Sequence, residues 1–291
     1  MLYWLNGVFD DASAAIDVAD RGFLIGDGVF ETILVEKGAP IFLDAHLERL
    51  HAGLDALELA MAKLPEDWRG VLDRLSRANS LGPERAVMRI TVTRGAAGRG
   101  LDMAAADATP PTVLVTLAPA PPSSDKILNL QISSYRRSEH SITARCKTLN
   151  YTDNILARAE AREGGADEAI LLNTRGMAAC AAASNLFVVS GDRISTPKVS
   201  DGALPGVVRR KLLEEAAISE DLAIAETAIT PEQLGRSACF LTNSLLGVAP
   251  ATLMSARAAM DAKAVETIDR LRAWYDALVA AEVARWNTPS S

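Results

Sequence analysis

Hydrophobic and polar residues alternate along several short stretches of the chain, a pattern that predicts β-strands. LYWLNGVFDD reads as two strands joined by a turn at Asn6-Gly7, and GVFETILVEKGAPIFL as a hairpin that turns at Lys37-Gly38. RAVMRITVTRG and TVLVTLAP each alternate through one further strand. Between these stretches, LDAHLERLHAGLDALEL repeats its leucines at helical spacing behind Asp44, a suitable N-cap, and PEDWRGVLDRLSRANSLG predicts a second amphipathic helix.

The order of elements changes after PAPPSSD, whose prolines and serines suit a connector between domains. Beyond it we expect a strand in ILNLQISSYRR, a strand and then a helix in ITARCKTLNYTDNILARAEAREGG, and a strand in EAILLN. FVVSGDRIST reads as a hairpin, GVVRRKLLEEAA as a helix and ACFLTN as a strand, with a last helix from about Asp261. The pattern predicts an α+β chain of two domains, residues 1–120 and 121–291.

The 291 residues are 49% hydrophobic and 23% charged, as expected of a soluble globular protein. The formal net charge of −7 disfavours a nucleic-acid partner, because phosphate backbones attract clustered Lys and Arg. No apolar run suits a bilayer and the first residues lack the pattern of a signal peptide, so we expect no membrane partner. The three cysteines and three histidines lack metal-ligand spacing, which predicts free thiols in the cytoplasm and no metal site.

One lysine, Lys147, lies between a strand-like run and the start of a predicted helix. The partial positive charge of a helix N-terminus, together with burial, disfavours the ammonium form of a nearby lysine. A neutral amine is the nucleophile that forms a Schiff base. The alternative is a lysine that simply extends into solvent, as most lysines do.

Other segments offer sites for a flat ring and for an anion. The run Ala178–Ser184 consists of Ala, Cys and Ser, whose small side chains let a ring lie close to the backbone, although tight strand packing gives the same run. A helix that begins after Gly206 leaves its first amides open to a phosphate. Candidates for anion contacts are Val207 and Val208 at that helix start, Asn243 and Ser244 in the turn of LTNSLLG, and Arg49 on the first long helix.

Several motifs together resemble the fold-type IV pyridoxal-phosphate (PLP) enzymes, the class IV aminotransferase family. They are DRGFLIGDGVFETI, LDAHLERL, TRGAAGRG, CKTLNYTDNILARAEA, DEAILLN, SNLFVV, LPGVVRR and LTNSLLGVAP, in family order. The family includes D-amino-acid aminotransferase, branched-chain aminotransferase and 4-amino-4-deoxychorismate lyase. The resemblance implies the two-domain architecture of D-amino-acid aminotransferase, with the cofactor in the interdomain cleft of each subunit of a homodimer.

The resemblance also implies roles for individual residues. Lys147 would form the Schiff base with PLP and, once freed, carry a proton between the substrate's Cα and the cofactor. Arg49 would grip the phosphate, and Phe30 and Glu31 would lie beside the cofactor. The remaining phosphate contacts would come from Val207, Val208, Asn243 and Ser244.

The sequence departs from the family at the carboxylate that keeps the pyridine nitrogen protonated. Four residues after Gly176, where the family has glutamate, this chain has Cys180. A thiol is a weak donor and a poor acceptor, so it cannot replace a carboxylate unless it is a thiolate. The alternative is that Cys180 is only a small buried residue.

Two arginines are candidates for binding the substrate. Alternation places Arg89, Thr91 and Thr93 on one face of their strand, where Arg89 could bind a carboxylate with two hydrogen bonds, unless it is merely exposed or salt-bridged. Arg99 matches an arginine of the D-amino-acid enzymes' carboxylate trap, but Leu101 replaces the trap's histidine and also the tyrosine of the lyases' GRGY-like stretch.

We therefore expect a PLP-dependent aminotransferase that moves an amino group from a small amino acid, D-amino acids included, to a 2-oxo acid. The first alternative is a lyase that eliminates pyruvate from 4-amino-4-deoxychorismate. The second is a PLP-binding protein of low activity, because Cys180 replaces the glutamate.

Overall fold

The computed structural model describes residues 1–11, 16–59, 62–82, 85–96, 100–102, 110–122, 125–191, 193–256 and 262–288. The chain forms two compact units. Unit 1 comprises Met1–Pro121, Cys146–Asn150 and Ala281–Ser291, and unit 2 comprises Pro122–Arg145 and Tyr151–Ala280. The segment around Lys147 thus belongs to unit 1, although the sequence assigns it to the C-terminal domain. The division of the chain at residue 120 stays a prediction.

Unit 1 consists of one sheet and the helices that cover it. In chain order its elements are β1 (Leu2–Leu5), β2 (Val8–Asp11), α1 (Arg21–Ile25), β3 (Gly28–Glu36), β4 (Ala39–Pro40), α2 (Leu43–Ala56), α3 (Trp68–Ala78), β5 (Arg85–Thr93) and β6 (Thr112–Pro119). Within the described residues the sheet has the strand order β2-β1-β6-β5-β3-β4. Every neighbouring pair is antiparallel.

One face of this sheet forms the core of unit 1. The alternation of β5 is as predicted, since Met88, Ile90 and Val92 are buried while the residues between them are partly exposed. Leu50 and Leu54 of α2 pack into the same cluster. The helix begins one residue before Asp44, which lies in its first turn, where a carboxylate favours the positive end of the helix.

Unit 2 is built on a larger, mixed sheet. Its elements are β7 (Leu128–Arg137), α4 (Ile142–Arg145), α5 (Thr152–Glu163), β8 (Glu168–Asn173), β9 (Ala178–Ala181), β10 (Asn185–Ser190), β11 (Arg193–Thr196), a 3-10 turn (Val199–Asp201), α6 (Val207–Lys211), a π-helical turn (Leu212–Ala216), α7 (Ala217–Ser219), β12 (Ala223–Glu226), α8 (Pro231–Leu234), β13 (Ala238–Asn243), β14 (Gly247–Leu253) and α9 (Ala262–Asn287). The last residues of α9 belong to unit 1. Over the described residues the strand order is β12-β11-β10-β13-β14-β7-β8-β9. Across the ranges given above, none of the helices could span a membrane.

The structure differs from the predicted pattern around α4 and α5. ITARC, read as a strand, contains the short helix α4, so the predicted strand is wrong. The buried positions of α5 are Asn154, Ala157 and Ala161, whereas the larger Ile155 and Leu156 are exposed. Small side chains are needed on the buried face because α5 packs closely against the alanine-rich edge of the sheet.

Candidate active site

The backbone of the segment that carries Lys147 is hydrogen-bonded to the start of β3. The N–H of Phe30 donates to the carbonyl of Lys147 at 2.9 Å, and the N–H of Leu149 donates to the carbonyl of Gly28 at 2.9 Å. A Cβ at Gly28 would lie 2.4 Å from the carbonyl oxygen of Val92 and 2.9 Å from a methyl carbon of Leu149. Glycine is therefore required at position 28, chiefly because a side chain there would collide with the backbone of β5.

Two basic side chains contact the ring of Phe30. The Nζ of Lys147 lies 4.2 Å from the ring centroid, and the Cζ of Arg89 lies 3.9 Å from it. Arg89 also donates from Nε to the hydroxyl of Thr91 at 3.1 Å, and Thr91 is the cross-strand partner of Phe30. The buried ring of Phe30 thus attracts both side chains through its aromatic face, and one of them carries an amine that can act as a nucleophile once it has lost its proton.

Glu31 projects from the opposite face of β3, where it meets α2. Its Oε1 accepts from Nε of Arg49 at 2.7 Å and its Oε2 accepts from Nη2 of Arg49 at 2.6 Å. The same Oε2 lies 2.7 Å from Nδ1 of His46. Both oxygens of Glu31 are thus engaged by protein groups, and this carboxylate orients Arg49.

The charges of this cluster follow from its burial and its partners. Burial alone raises the pKa of Glu31, but the Arg49 guanidinium and the His46 imidazole outweigh it and lower that pKa to about 2. Burial lowers the pKa of His46, Glu31 opposes this effect, and the charges of Arg49 and Lys147 lower it further. At neutral pH the cluster therefore holds a carboxylate, a guanidinium and a neutral imidazole.

His46 is a member of this cluster whose role no motif in the sequence indicates. It precedes Arg49 by three residues, so the two side chains lie on one face of α2. That spacing is a signal in the sequence, but its carboxylate partner lies on β3 and only the fold brings the three residues together.

In unit 2, the predicted anion contacts at the start of α6 keep their open amides. Gly206 precedes the helix in an extended conformation, and no side chain caps the N–H groups of Val207 and Val208. A Cβ at Gly206 would lie 1.9 Å from Oδ1 of Asn185, whose Nδ2 donates to the carbonyl of Leu204 at 2.8 Å. Glycine is required here so that Asn185 can hold the loop before the helix.

The other predicted anion contacts lie in the turn after β13. The Nδ2 of Asn243 donates to the carbonyl of Ala183 and to the hydroxyl of Ser184, and its Oδ1 accepts from the N–H groups of Leu245 and Leu246. The side chain of Asn243 therefore builds the turn. Ser244 lies half-buried in the same turn. Contacts of these two residues with a ligand stay a prediction.

Cys180 is buried in unit 2 among the small side chains of α5, β8 and β9. Burial raises the pKa of its thiol, an effect that the positive charge of Arg137 opposes and the negative charge of Glu168 reinforces. The group is thus a neutral thiol rather than a thiolate, and it does not fit the role of a carboxylate beside a pyridinium.

Arg99 falls outside the described residues, whereas Leu101 is 80% exposed.

No cluster of three or more potential metal ligands occurs among the residues with described positions.

The chain is similar to known proteins in both sequence and structure. Residues 28–254 match the family model described as amino-transferase class IV. A protein of Methanocaldococcus jannaschii named as a branched-chain-amino-acid aminotransferase is 31% identical over 254 residues, 86% of each chain. The aminodeoxychorismate lyase of Vibrio harveyi is 30% identical over 260 residues, 88% of this chain and 92% of that one.

The structural comparison gives the same family. The branched-chain amino acid aminotransferase of T.th., complexed with N-(5′-phosphopyridoxyl)-L-glutamate, matches with a TM-score of 0.82 at 25% identity over 96% of this chain and 94% of that one. The predicted α+β, fold-type IV class is confirmed by this match. The predicted family and its cofactor, PLP, are confirmed as well.

Proposed function

Because the chain belongs to the class IV aminotransferases, which depend on PLP, we propose that it transfers an amino group from a small amino acid to a 2-oxo acid. D-amino acids are included among the proposed donors. The observation that carries the proposal is the pair of basic side chains on the ring of Phe30, with the Lys147 amine at 4.2 Å and the Arg89 guanidinium at 3.9 Å. The first supplies a nucleophile for amine chemistry and the second a receptor for the carboxylate of an amino acid.

Each residue at this ring has a separate proposed role. Lys147 would condense with the cofactor aldehyde and later move a proton to and from the substrate's Cα. Arg89 would bind the substrate carboxylate while Phe30 supports its guanidinium plane, with Arg99 as a second proposed carboxylate contact. When bound, PLP stores the electron pair released at Cα.

Arg49 is proposed to grip the cofactor's phosphate, with Glu31 acting through it rather than touching the cofactor. The bidentate contact at 2.6 and 2.7 Å supports this role, because it fixes the guanidinium in one orientation. The open amides of Val207 and Val208 support a phosphate-binding role for the start of α6. Asn243 and Ser244 are proposed as further phosphate contacts.

The neutral thiol of Cys180 is the feature that fits this proposal least. A neutral thiol stabilises a protonated pyridine nitrogen less than a carboxylate does, which supports a reaction that does not need this protonation. It equally supports the interpretation of the chain as a PLP-binding protein of low activity.

We also propose a cytoplasmic homodimer. Phe23, Leu24 and Ile25 of α1 are 76%, 57% and 46% exposed, an apolar surface of the kind that a second subunit covers. The three cysteines are free thiols, which suits a reducing compartment.

A lyase that releases pyruvate from 4-amino-4-deoxychorismate is the second candidate. The similarity to the Vibrio harveyi aminodeoxychorismate lyase, at 30% identity, supports it about as well as the other relative supports an aminotransferase. The departure of GRGL from the lyases' GRGY-like stretch favours the aminotransferase.

The cofactor spectrum of the purified protein tests these proposals. We expect a visible band that borohydride bleaches, with the label on Lys147, and its loss in Lys147→Ala but not in Lys198→Ala, a change at an exposed lysine. A panel of D- and L-amino acids with 2-oxoglutarate should convert the cofactor to its amine form. Pyruvate released from aminodeoxychorismate without a keto acceptor would establish the lyase instead, and a yellow protein inert to both would establish the binding protein. A label on another residue would refute the role of Lys147.

A further inference from the structure

His46 is a buried titratable group to which the proposed reaction gives no task. Its side chain is fully enclosed, and its Nδ1 lies 2.7 Å from Oε2 of Glu31. The same oxygen accepts a hydrogen bond from Nη2 of Arg49 at 2.6 Å. His46 and Arg49 therefore contact the same oxygen atom of Glu31. Because they are so close, a change of charge at one of them changes the electrostatic potential at the other.

The charged groups that face His46 come from three elements. Glu31 approaches from β3, Arg49 from the next turn of α2, and Lys147 from the segment bound to β3. Glu31 favours the imidazolium form, whereas the two cations and burial favour the neutral form. His46 is therefore neutral as long as no further anion offsets the positive charges of Arg49 and Lys147.

An anion on Arg49 changes this balance. It offsets the guanidinium's charge at the imidazole, while Glu31 remains ionised because its pKa is about 2. The surplus negative charge is then greatest at the oxygen that already contacts Nδ1 of His46. A proton taken up by His46 would offset this negative charge, because the imidazole is already hydrogen-bonded to the carboxylate of Glu31.

We propose that binding of a phosphate monoester dianion at Arg49 is coupled to uptake of a proton at His46, with Glu31 as the shared acceptor. The proposal rests on the proposed phosphate-binding role of Arg49. His46 then acts on the cofactor only through Glu31 and Arg49 and is a positioning residue. The phosphate would be held more tightly at pH values where His46 can accept the proton.

Calorimetry of the full-length chain freed of cofactor tests the coupling. The probe is pyridoxamine 5′-phosphate, which carries the phosphate but no aldehyde and cannot condense with Lys147. Titrations at pH 7 in two buffers of different ionisation enthalpy give the number of protons taken up. We expect the wild type to take up about 0.5 to 1 proton more than His46→Asn, whose amide can still donate to Glu31.

The control is His51→Asn, a change at the half-buried histidine that follows Arg49 on α2, and it should match the wild type. A second measurement covers the case in which His46→Asn fails to fold. In the ¹⁵N spectrum of histidine-labelled wild type, which has three histidines, the His46 nitrogens should change from the neutral to the cationic pattern on adding pyridoxamine 5′-phosphate.

Equal proton uptake by the wild type and His46→Asn, or a His46 spectrum that stays neutral in the complex, overturns the coupling and leaves the proposed function intact. A wild-type chain that gives no binding heat with pyridoxamine 5′-phosphate overturns the cofactor site itself and the coupling with it.

Discussion

Glu31 is the residue whose replacement tests the charge cluster most directly. It is fully buried on β3, and its carboxylate accepts three short hydrogen bonds, two from Arg49 and one from His46. Replacing it with glutamine keeps the shape of the side chain but removes the charge. Arg49, whose side chain is only 14% exposed, is then left without its counter-ion.

The size of the effect follows from the pKa of Glu31. That pKa is about 2 in the folded chain, against a usual value of 4.5. A carboxyl shifted by this amount contributes about 3 kcal/mol to the free energy of unfolding when it is ionised. Because the folded pKa is the lower one, the contribution is complete above pH 4.5 and is lost as the pH falls toward 2. About 1.5 kcal/mol of it should remain at pH 3.

Urea unfolding of the cofactor-free chain at pH 7 and pH 3 measures this contribution. We expect Glu31→Gln to cost about 3 kcal/mol at pH 7 and about half as much at pH 3. The matched control is Glu36→Gln on the same strand. Glu36 pairs with Arg85 at 3.2 Å but is about one quarter exposed, so its loss should cost less than about 1 kcal/mol. Equal costs for the two variants at pH 7 would refute the reasoning.

Three further changes test other parts of the site. Arg89→Leu should lower kcat/KM for an amino acid by about 10- to 100-fold, mainly by raising KM, and Arg89→Lys should recover part of this loss. An unchanged KM in Arg89→Leu would exclude Arg89 as the receptor of the substrate carboxylate. Gly28→Ala should destabilise the chain by about 1 to 3 kcal/mol and reduce the borohydride-sensitive band, whereas Gly82→Ala, where a Cβ meets open space, should do neither. Cys180→Glu should shift the cofactor's absorption band, and an unshifted band would mean that position 180 does not contact the ring nitrogen.

Local signals in the sequence predict local structure well in this chain. The two turns are examples, since Asn6 and Lys37 adopt positive φ of 48° and the glycines after them 97° and 78°. Such turns depend on the residues that form them and not on the rest of the fold. The alternation of β5 is equally local, because each residue's side follows from its neighbours in the strand.

The contacts that build the candidate site are not local, and the sequence did not reveal them. Lys147 pairs with β3 across more than a hundred residues, and a strand-like run that precedes it is in fact the helix α4. Likewise, the buried face of α5 depends on what the helix packs against, so the exposed Ile155 and Leu156 could not be recognised from hydrophobicity alone. Recognition of the family motifs supplied what local pattern could not.

The register of β3 links the two halves of the chemistry in unit 1. Phe30 and Glu31 are adjacent, so they project from opposite faces of the strand, one toward Lys147 and the other toward Arg49. A shift of one residue would exchange these faces and abolish both arrangements together. Pairing with β5 over the whole strand opposes such a shift. A side-chain change at Glu31 should weaken binding of the phosphate and leave condensation at Lys147 possible, whereas a change at Gly28 should hinder Lys147 and keep the ion pair between Glu31 and Arg49.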